Sequence, residues 1–447
     1  MAIETINPAT GRPIRRYREH SRSEVEAALA RASRAFAAWR ALTFAERARA
    51  LRSVAAVLRR RAGGLARLAA DEMGKPLAEG EAEVRKSRLA CAHYARYARR
   101  FLAPERPPGS PRWARVVFEP LGPILAVMPW NFPFWQVFRA AAPALMAGNT
   151  MLLKHASNVT GCARAIERVF AESGLPRGVF QTLVLRSRRV AALVADPRVR
   201  AVTLTGSTQA GLSVASQAGA AMKKGVFELG GSDPYLVLAD ADIGRAAEVC
   251  AAARLLNAGQ SCISAKRFIV VRPVARAFAR ALAARMAARR VGSPLNPSTQ
   301  VGPLARGDLR AELHGQVRAS VRRGARLLTG GRPLPGPGFY YAPSVLSGVR
   351  KGMPAYGEEL FGPVAAVIRV RDEDEAVRVA NDSAFGLGAA VFTRRRRTAE
   401  RVAARLEAGT VFWNDFVRSD PSLPFGGVKL SGHGRELGRR GSGSLST

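Results

Sequence analysis

Apolar residues recur along the first hundred positions at the three- and four-residue spacing of helices. The spacing predicts helices over 24–40, 44–73 and 78–100, each rich in Ala, Leu and Arg. Gly74 falls at the C-cap of the second. Residues 103–112 (APERPPGSPR) then break the pattern with four prolines. Followed by a short strand at 115–118, they read as an arm set apart. From residue 123 short apolar runs alternate with helical stretches. Strands are predicted at 124–128, 150–154, 179–185, 201–205 and 225–229, with helices at 134–147, 161–172, 187–195 and 209–221. A second series places strands at 235–238, 268–271, 364–370, 389–393 and 409–413. Its helices fall at 243–256, 276–288, 308–323, 373–381 and 399–406. Such alternation implies parallel sheets covered on both faces. The 447 residues exceed what one core organises. Two α/β domains follow, with a boundary near Gly231 and no internal repeat. The tail 439–447 (RRGSGSLST) is small and polar and reads as disordered.

Charge changes this picture little. Lys and Arg number 70 against 34 Asp and Glu, a net charge of +36, and only eight of the 70 are lysine. A basic excess admits nucleic acid as a partner. The arginines are spread along the whole chain, however, and the densest run, 394–397, has no interleaved aromatics to stack bases. The charge therefore reads as a diffuse basic surface, with no nucleic-acid partner. The four cysteines, Cys91, Cys162, Cys250 and Cys262, form no CxxC pair and no metal-type spacing, so no metal site is expected. They fit a reducing cytoplasm. There is no signal-type apolar core at the N-terminus and no run long enough to span a bilayer.

Polar residues stand where core packing does not explain them in PWNFP (129–133), LLKHAS (152–157), TGSTQAG (205–211), FELGGSDP (227–234), NAGQSC (257–262) and GEELFGP (357–363). Glu228 ends an apolar strand. Desolvation there raises a carboxylate toward the range of a useful base, although a salt-bridged strand end is an equal reading. Asn131 lies between two prolines, held either as a rigid oxyanion donor or as an Asx-turn residue. TGSTQAG opens a helix whose amides suit an anion, but it lacks the G-x-G-x-x-G spacing. Cys262 taken alone is more often a small buried hydrophobe than a nucleophile. The other three cysteines lie in helical Ala/Leu-rich stretches and take that packing role.

As an ordered set, PWNFP, ELGG, GQSC, EELFGP and PFGGVKLSG resemble the aldehyde dehydrogenase superfamily, from INPATG (6–11) to GREL (434–437). Glu228 precedes Cys262 by 34 residues. The resemblance implies an aldehyde dehydrogenase-like fold of two parallel-sheet α/β domains plus a small bridging arm used in oligomerisation. It assigns 1–97 and 121–231 to NAD(P) binding, 232–432 to catalysis, and 98–120 with 433–447 to bridging, the usual last strand missing. It implies Cys262 as nucleophile, Glu228 as general base and Asn131, with the Cys262 amide, as oxyanion donor. It implies a cofactor set of Trp130, Lys154, Ser157, Gly206, Ser207, Gly211, Leu229, Glu359 and Phe361. A neutral Ser157 beside Lys154 makes NADP at least as good as NAD. Succinate-semialdehyde dehydrogenases resemble the chain most, through NFPFWQVFR (131–139), LLKHASNV (152–159) and ELGGSDP (228–234). In them an Arg at the place of Arg139 holds the substrate carboxylate, and Ser419 adds a hydroxyl. Leu256 stands where some carry a second Arg. Succinate semialdehyde is the expected substrate and a homodimer or homotetramer the expected assembly. The alternatives are an uncharged or phosphorylated aldehyde, or a basic binding protein on this scaffold.

Overall fold

The structure, a computed structural model, describes residues 2–444. It opens with a hairpin, β1 (Ala2–Ile6) and β2 (Pro13–Arg18), which the sequence pattern does not announce. β2 is exposed along nearly its whole length, so it carries no apolar alternation. Helices α1 (Arg22–Ala41), α2 (Phe44–Met73) and α3 (Leu77–Phe101) follow. The first two start with capping boxes, Ser21 with Glu24 and Thr43 with Glu46.

The first alternating series is β3 (Pro123–Met128), α4 (Trp135–Met146), β4 (Thr150–His155), α5 (Thr160–Glu172), β5 (Phe180–Thr182), α6 (Val190–Ala195), β6 (Ala201–Thr205), α7 (Thr208–Ala220) and β7 (Lys224–Glu228). The strands pair in parallel in the order β7-β6-β3-β4-β5. Side chains alternate across this sheet. Ile124, Ala126, Met151 and Leu153 enter a core shared with α2 to α5, while Leu125 and Leu152 enter another with Val25, Leu29 and Ala32 of α1. Burial on both faces is why these strands read as unbroken apolar runs.

The second series is β8 (Pro234–Val237), α8 (Ile243–Leu255), β9 (Arg267–Val271), α9 (Arg272–Ala287), α10 (Gly307–Arg322), β10 (Arg326–Thr329), β11 (Ser344–Ser347) and β12 (Val364–Val370). It continues with β13 (Phe385–Gly386), β14 (Gly388–Phe392), β15 (Thr410–Trp413), β16 (Val428–Lys429) and β17 (Gly432–His433). Seven of these strands form a sheet in the order β10-β11-β12-β9-β8-β14-β15, parallel except for β10. The sequence pattern misses β10 and β11. β10 is a mostly exposed edge, and each is only four residues long.

Two expectations are corrected. Residues 115–118 are no strand. Glu105 and Val116 form one isolated bridge, in a stretch where four prolines withhold donors. The tail is not irregular over 439–447, because Gly438–Ser444 is helical; residues 445–447 lie outside the described ones. The Tyr94 hydroxyl donates to the Gly438 carbonyl at 3.2 Å. Gly441 brings its backbone against Tyr94, since a Cβ there would lie 3.3 Å from the hydroxyl oxygen. β17 pairs with β7, and Phe425 bridges Glu436. The segment around 425–438 is therefore docked on this chain's own first sheet.

Candidate active site

β3, β4, β6 and β7 end at Met128, His155, Thr205 and Glu228. Their C-terminal ends lie on one edge of a parallel sheet, where an α/β sheet opens its ligand crevice. The loops leaving that edge carry Trp130 and Asn131, Ser157, Gly206 and Ser207, and Leu229. From the other sheet come the loops that precede β9 and β12, which carry Cys262 and Glu359 with Phe361. In-register pairing of β9 with β12, and of β8 with β9, sets these loops side by side. Between the two edges lies a cavity of about 1100 Å³. Trp130, Asn131, Lys154 and Ser157 line it, as do Gly206, Ser207 and Leu229. Cys262, Glu359 and Phe361 complete its wall. Gly211 lies behind it, where a Cβ would overlap the Leu229 side chain.

The loop to Cys262 is strained and tightly held. Asn257, Ala258 and Gly259 run at φ 55, 54 and 74, a left-handed succession that Ala adopts at a cost. The Asn257 side chain donates to the carbonyls of Asn131 (2.7 Å) and Gln260 (3.1 Å), and its amide donates to Glu79 (2.8 Å). A side chain at Gly259 would strike the Gly362 backbone. Buried cations take the loop's carbonyls. Lys266 Nζ donates to Ser261 (3.0 Å) and Cys262 (2.7 Å), and Arg254 donates to Gly259 (2.5 Å) and Ala265 (3.0 Å). Their charge is the counterpart of backbone dipoles turned inward.

Asn131 is oriented by two neighbours. Its Oδ1 accepts from Gln136 Nε2 at 3.1 Å, so Nδ2 faces the cysteine loop and donates to the Gln260 carbonyl at 3.0 Å. One N–H of that amide remains for an oxyanion. The turn before α4 is fixed from α3, where Glu83 accepts from the amides of Phe134 (2.7 Å) and Trp135 (2.9 Å) and ion-pairs with Lys75. This carboxylate caps a helix start that has no side-chain cap of its own.

The protonation states follow from burial. Desolvation pushes the Cys262 thiol up to about 12, against the pull of Arg139 and Lys266. Burial holds Glu228 well above the ordinary carboxylate range, Arg139 opposing and Glu436 reinforcing the rise. The Gly427 backbone amide also opposes the rise. Lys154 is lowered to about 8 by burial and donates to Ser187 at 3.2 Å. Glu359 accepts from the Gly231 amide (3.1 Å) and approaches Lys266 (3.3 Å).

Arg139 and Ser419 do not line the cavity. Arg139 is buried and pairs with Glu436 (Nε to Oε2, 2.5 Å), donates to Thr205 Oγ1 (3.0 Å) and faces the Phe425 ring. The expected free guanidinium at 139 is thus replaced by an internal ion pair, because Glu436 folds back beside β7. Ser419 accepts from Lys86 (2.9 Å) and Trp135 (3.2 Å). Sequence reasoning passed over Glu436, Lys266, Glu83 and Lys86. The scarcity of lysine was the signal available for two of them. Among the described residues no cluster of His, Cys, Asp or Glu is placed to hold a metal ion, and no helix is long and apolar enough to cross a membrane.

Known proteins are similar to this chain over nearly its whole length. The chain is 48% identical over 441 residues to a probable NADP(+) succinate-semialdehyde dehydrogenase of Synechocystis, covering 99% of this chain and 97% of that one. It is 46% identical over 437 residues to the Escherichia coli NAD(P)+ succinate semialdehyde dehydrogenase Sad, covering 98% and 95%. The crystal structure of succinic semialdehyde dehydrogenase from Streptococcus pyogenes in complex with NADP+ superposes with a TM-score of 0.97 at 36% identity, covering 100% and 98%. Residues 1–445 match the aldehyde dehydrogenase family, and the chain belongs to it.

Proposed function

We propose that the chain oxidises succinate semialdehyde to succinate with NADP or NAD. One observation carries the chemistry: Cys262 and the oriented amide of Asn131 line the same cavity as Lys154 and Ser157. The names of the relatives support the substrate. The cavity fits a nicotinamide dinucleotide. Ser157 is small and neutral beside the Lys154 cation, the N-terminus of α7 stands behind Gly206 and Ser207, and Phe361 meets Trp130 edge-on at 5.7 Å. When bound, the nicotinamide supplies a hydride acceptor.

Cys262, once deprotonated, attacks the aldehyde carbon, and the oxyanion takes a hydrogen bond from Asn131 Nδ2 and the Cys262 amide. Loss of hydride leaves an acyl group on the cysteine sulfur. Glu228 then takes a proton from the water that attacks this thioester, and the acid departs as the thiol is restored. A raised carboxylate suits that proton transfer near neutral pH. The same reading places the protein in the cytoplasm, as a homodimer or homotetramer. Exposed Trp113, Val116 and Val117 on the arm support an assembly contact. It also keeps 1–97 with 121–231 as the cofactor domain and 232–432 as the catalytic domain.

A second reading keeps the chemistry and changes the aldehyde to an uncharged or phosphorylated one. It is favoured by the engagement of Arg139 with Glu436 and by Leu256. Steady-state NAD(P)H formation over an aldehyde panel, with each cofactor and with Cys262→Ala as control, decides between them. Preferential turnover of succinate semialdehyde supports the first reading, and turnover surviving Cys262→Ala refutes both.

A further inference from the structure

We infer that Glu79 is a positioning residue for the reaction: from α3 it anchors the strained turn that leads into Cys262 and holds that turn against the Asn131 amide. The inference rests on the chemistry proposed above and is independent of which aldehyde is turned over. Glu79 lies in the first turn of α3, half-buried, and its Oε2 accepts from the Asn257 amide at 2.8 Å. Asn257 stands beyond the end of α8 and has left the helical conformation, so its amide finds its acceptor on another element.

Asn257 ties the two halves of the oxyanion pocket together. Its Nδ2 donates to the Asn131 carbonyl (2.7 Å) and to the Gln260 carbonyl (3.1 Å). The same Gln260 carbonyl accepts from Asn131 Nδ2 at 3.0 Å. Gln260 Nε2 donates back to the Asn257 carbonyl at 3.1 Å, and Gln260 Oε1 accepts from the Ala305 amide at 2.8 Å. Cys262 follows two residues after Gln260. The left-handed run of Asn257, Ala258 and Gly259 costs energy and persists only where the surroundings over-determine it. The Glu79 bond is the tie from that run to α3. One turn later Glu83 accepts from the Phe134 and Trp135 amides, fixing the turn that carries Asn131. Residues four apart share a helix face. One helix thus holds both sides of the pocket, a carboxylate to each, and Lys75 serves the pair from below: it pairs with Glu83 and lies over the Phe132 ring at 4.0 Å.

Burial raises Glu79 to about 7, with Lys75 and the Asn257 amide opposing the rise and Glu83 reinforcing it. The ionised carboxylate is the stronger acceptor, because a charge-assisted hydrogen bond outweighs a neutral one. The turn is therefore held most firmly above that pH and less firmly below it.

The test compares wild type, Glu79→Gln and Glu79→Ala by steady-state kinetics over pH and by hydrogen exchange of the whole protein. Attack by the thiolate and attack by water both place charge on the aldehyde oxygen, so kcat reads the pocket whichever of these steps limits. Glu79→Ala strips the Asn257 amide of its acceptor. It should lower kcat about 10²-fold, the cost of a misplaced catalytic group, with the aldehyde KM within about threefold of wild type. Glu79→Gln keeps an acceptor without the charge and should recover most of that loss, standing about fivefold below wild type at about pH 8. The gap should close below about pH 6, where wild-type Glu79 is protonated as well. Glu228 titrates in both proteins and cancels from the ratio. In Glu79→Ala the amides of 257–262 should exchange at least about tenfold faster while those of β9 keep wild-type protection. A Glu79→Ala variant with wild-type kcat, or one whose exchange rises equally in β9, overturns the inference. So does a wild-type to Glu79→Gln ratio that stays constant over pH, which decides the matter alone should Glu79→Ala fail to fold. Absence of Cys262-dependent turnover in wild type overturns the chemistry proposed above, and the inference with it.

Discussion

Replacing Arg139 by Leu distinguishes an internal ion pair from a substrate ligand. The guanidinium is buried against Glu436, Thr205 and the Phe425 ring. Leucine keeps much of the volume but strands a buried Glu436 carboxylate. Breaking one side of such a pair costs about 3–5 kcal/mol, because the remaining charge has lost its partner. The double variant Arg139→Leu/Glu436→Leu removes both charges and recovers most of that loss. Thermal scans of the wild type, both singles and the double read the ranking, which holds even where unfolding of so long a chain is not two-state. Catalysis changes as well. Arg139 holds down Glu228, Glu436 and Cys262. Without it Glu228 keeps its proton to higher pH, so the acid limb of the kcat profile moves to alkaline pH for every aldehyde. Partial rescue on raising the pH is expected. The reasoning is refuted if Arg139→Leu raises KM for succinate semialdehyde alone while the melting point and pH profile stay at wild-type values.

Three further substitutions probe the site. Glu228→Gln should cut kcat about 10²–10⁴-fold, the range for loss of a general base, with the acyl-enzyme accumulating in rapid-quench mass spectrometry. Because burial raises Glu228 in the folded protein, its contribution to stability is full below the ordinary carboxylate range and is lost as pH climbs toward the raised value. The melting point of Glu228→Gln relative to wild type should therefore rise between about pH 5 and about pH 9, and a constant difference would contradict the burial argument. Ser157→Glu sets a carboxylate in the cavity wall near Lys154, and should weaken NADP relative to NAD by about tenfold or more in kcat/KM. Lys266→Met removes a cation that pulls the Cys262 thiol down, so the iodoacetamide alkylation rate at a fixed alkaline pH should fall. An unchanged rate would show that the loop carbonyls absorb that charge.

What the sequence discloses here depends on whether a residue's partners are local. The interior strands of both sheets were legible because burial on two faces writes an apolar run into the chain, whereas the exposed edge β10 and the short β11 were not. The boundaries of α2 and of the helix over Glu373–Asn381 were legible for the same kind of reason: a helical period with a start signal at Thr43 and Asp372. Cys262, Glu228 and Asn131 stand out in the sequence as an ordered set, in polar stretches next to apolar runs. The ion pair of Arg139 was not legible because its partner is 297 positions away on a segment that no local pattern ties to β7, whereas the run of apolar residues around it is the same whether the guanidinium meets a ligand or Glu436.

The lysines carry the clue that was passed over. In a chain whose basic positions are almost all arginine, only eight lysines occur, and Lys75, Lys154 and Lys266 are buried while Lys86 is half-buried. Three of them serve the site or the turn that frames it, and Lys86 lies outside the cavity. Lys75 pairs with the carboxylate that caps α4, Lys266 binds the Cys262 carbonyl, Lys154 lines the cavity and Lys86 meets Ser419. A solvent-exposed cation is served equally by either side chain. A buried one is not, because a compact ammonium can close onto two carbonyls, or one hydroxyl, in a space where a planar guanidinium must find room for five donors. Lys266 thus marks one place where the fold needs a point charge, against the carbonyls of the nucleophile's loop, while Arg254 spans that loop from the other side with a guanidinium.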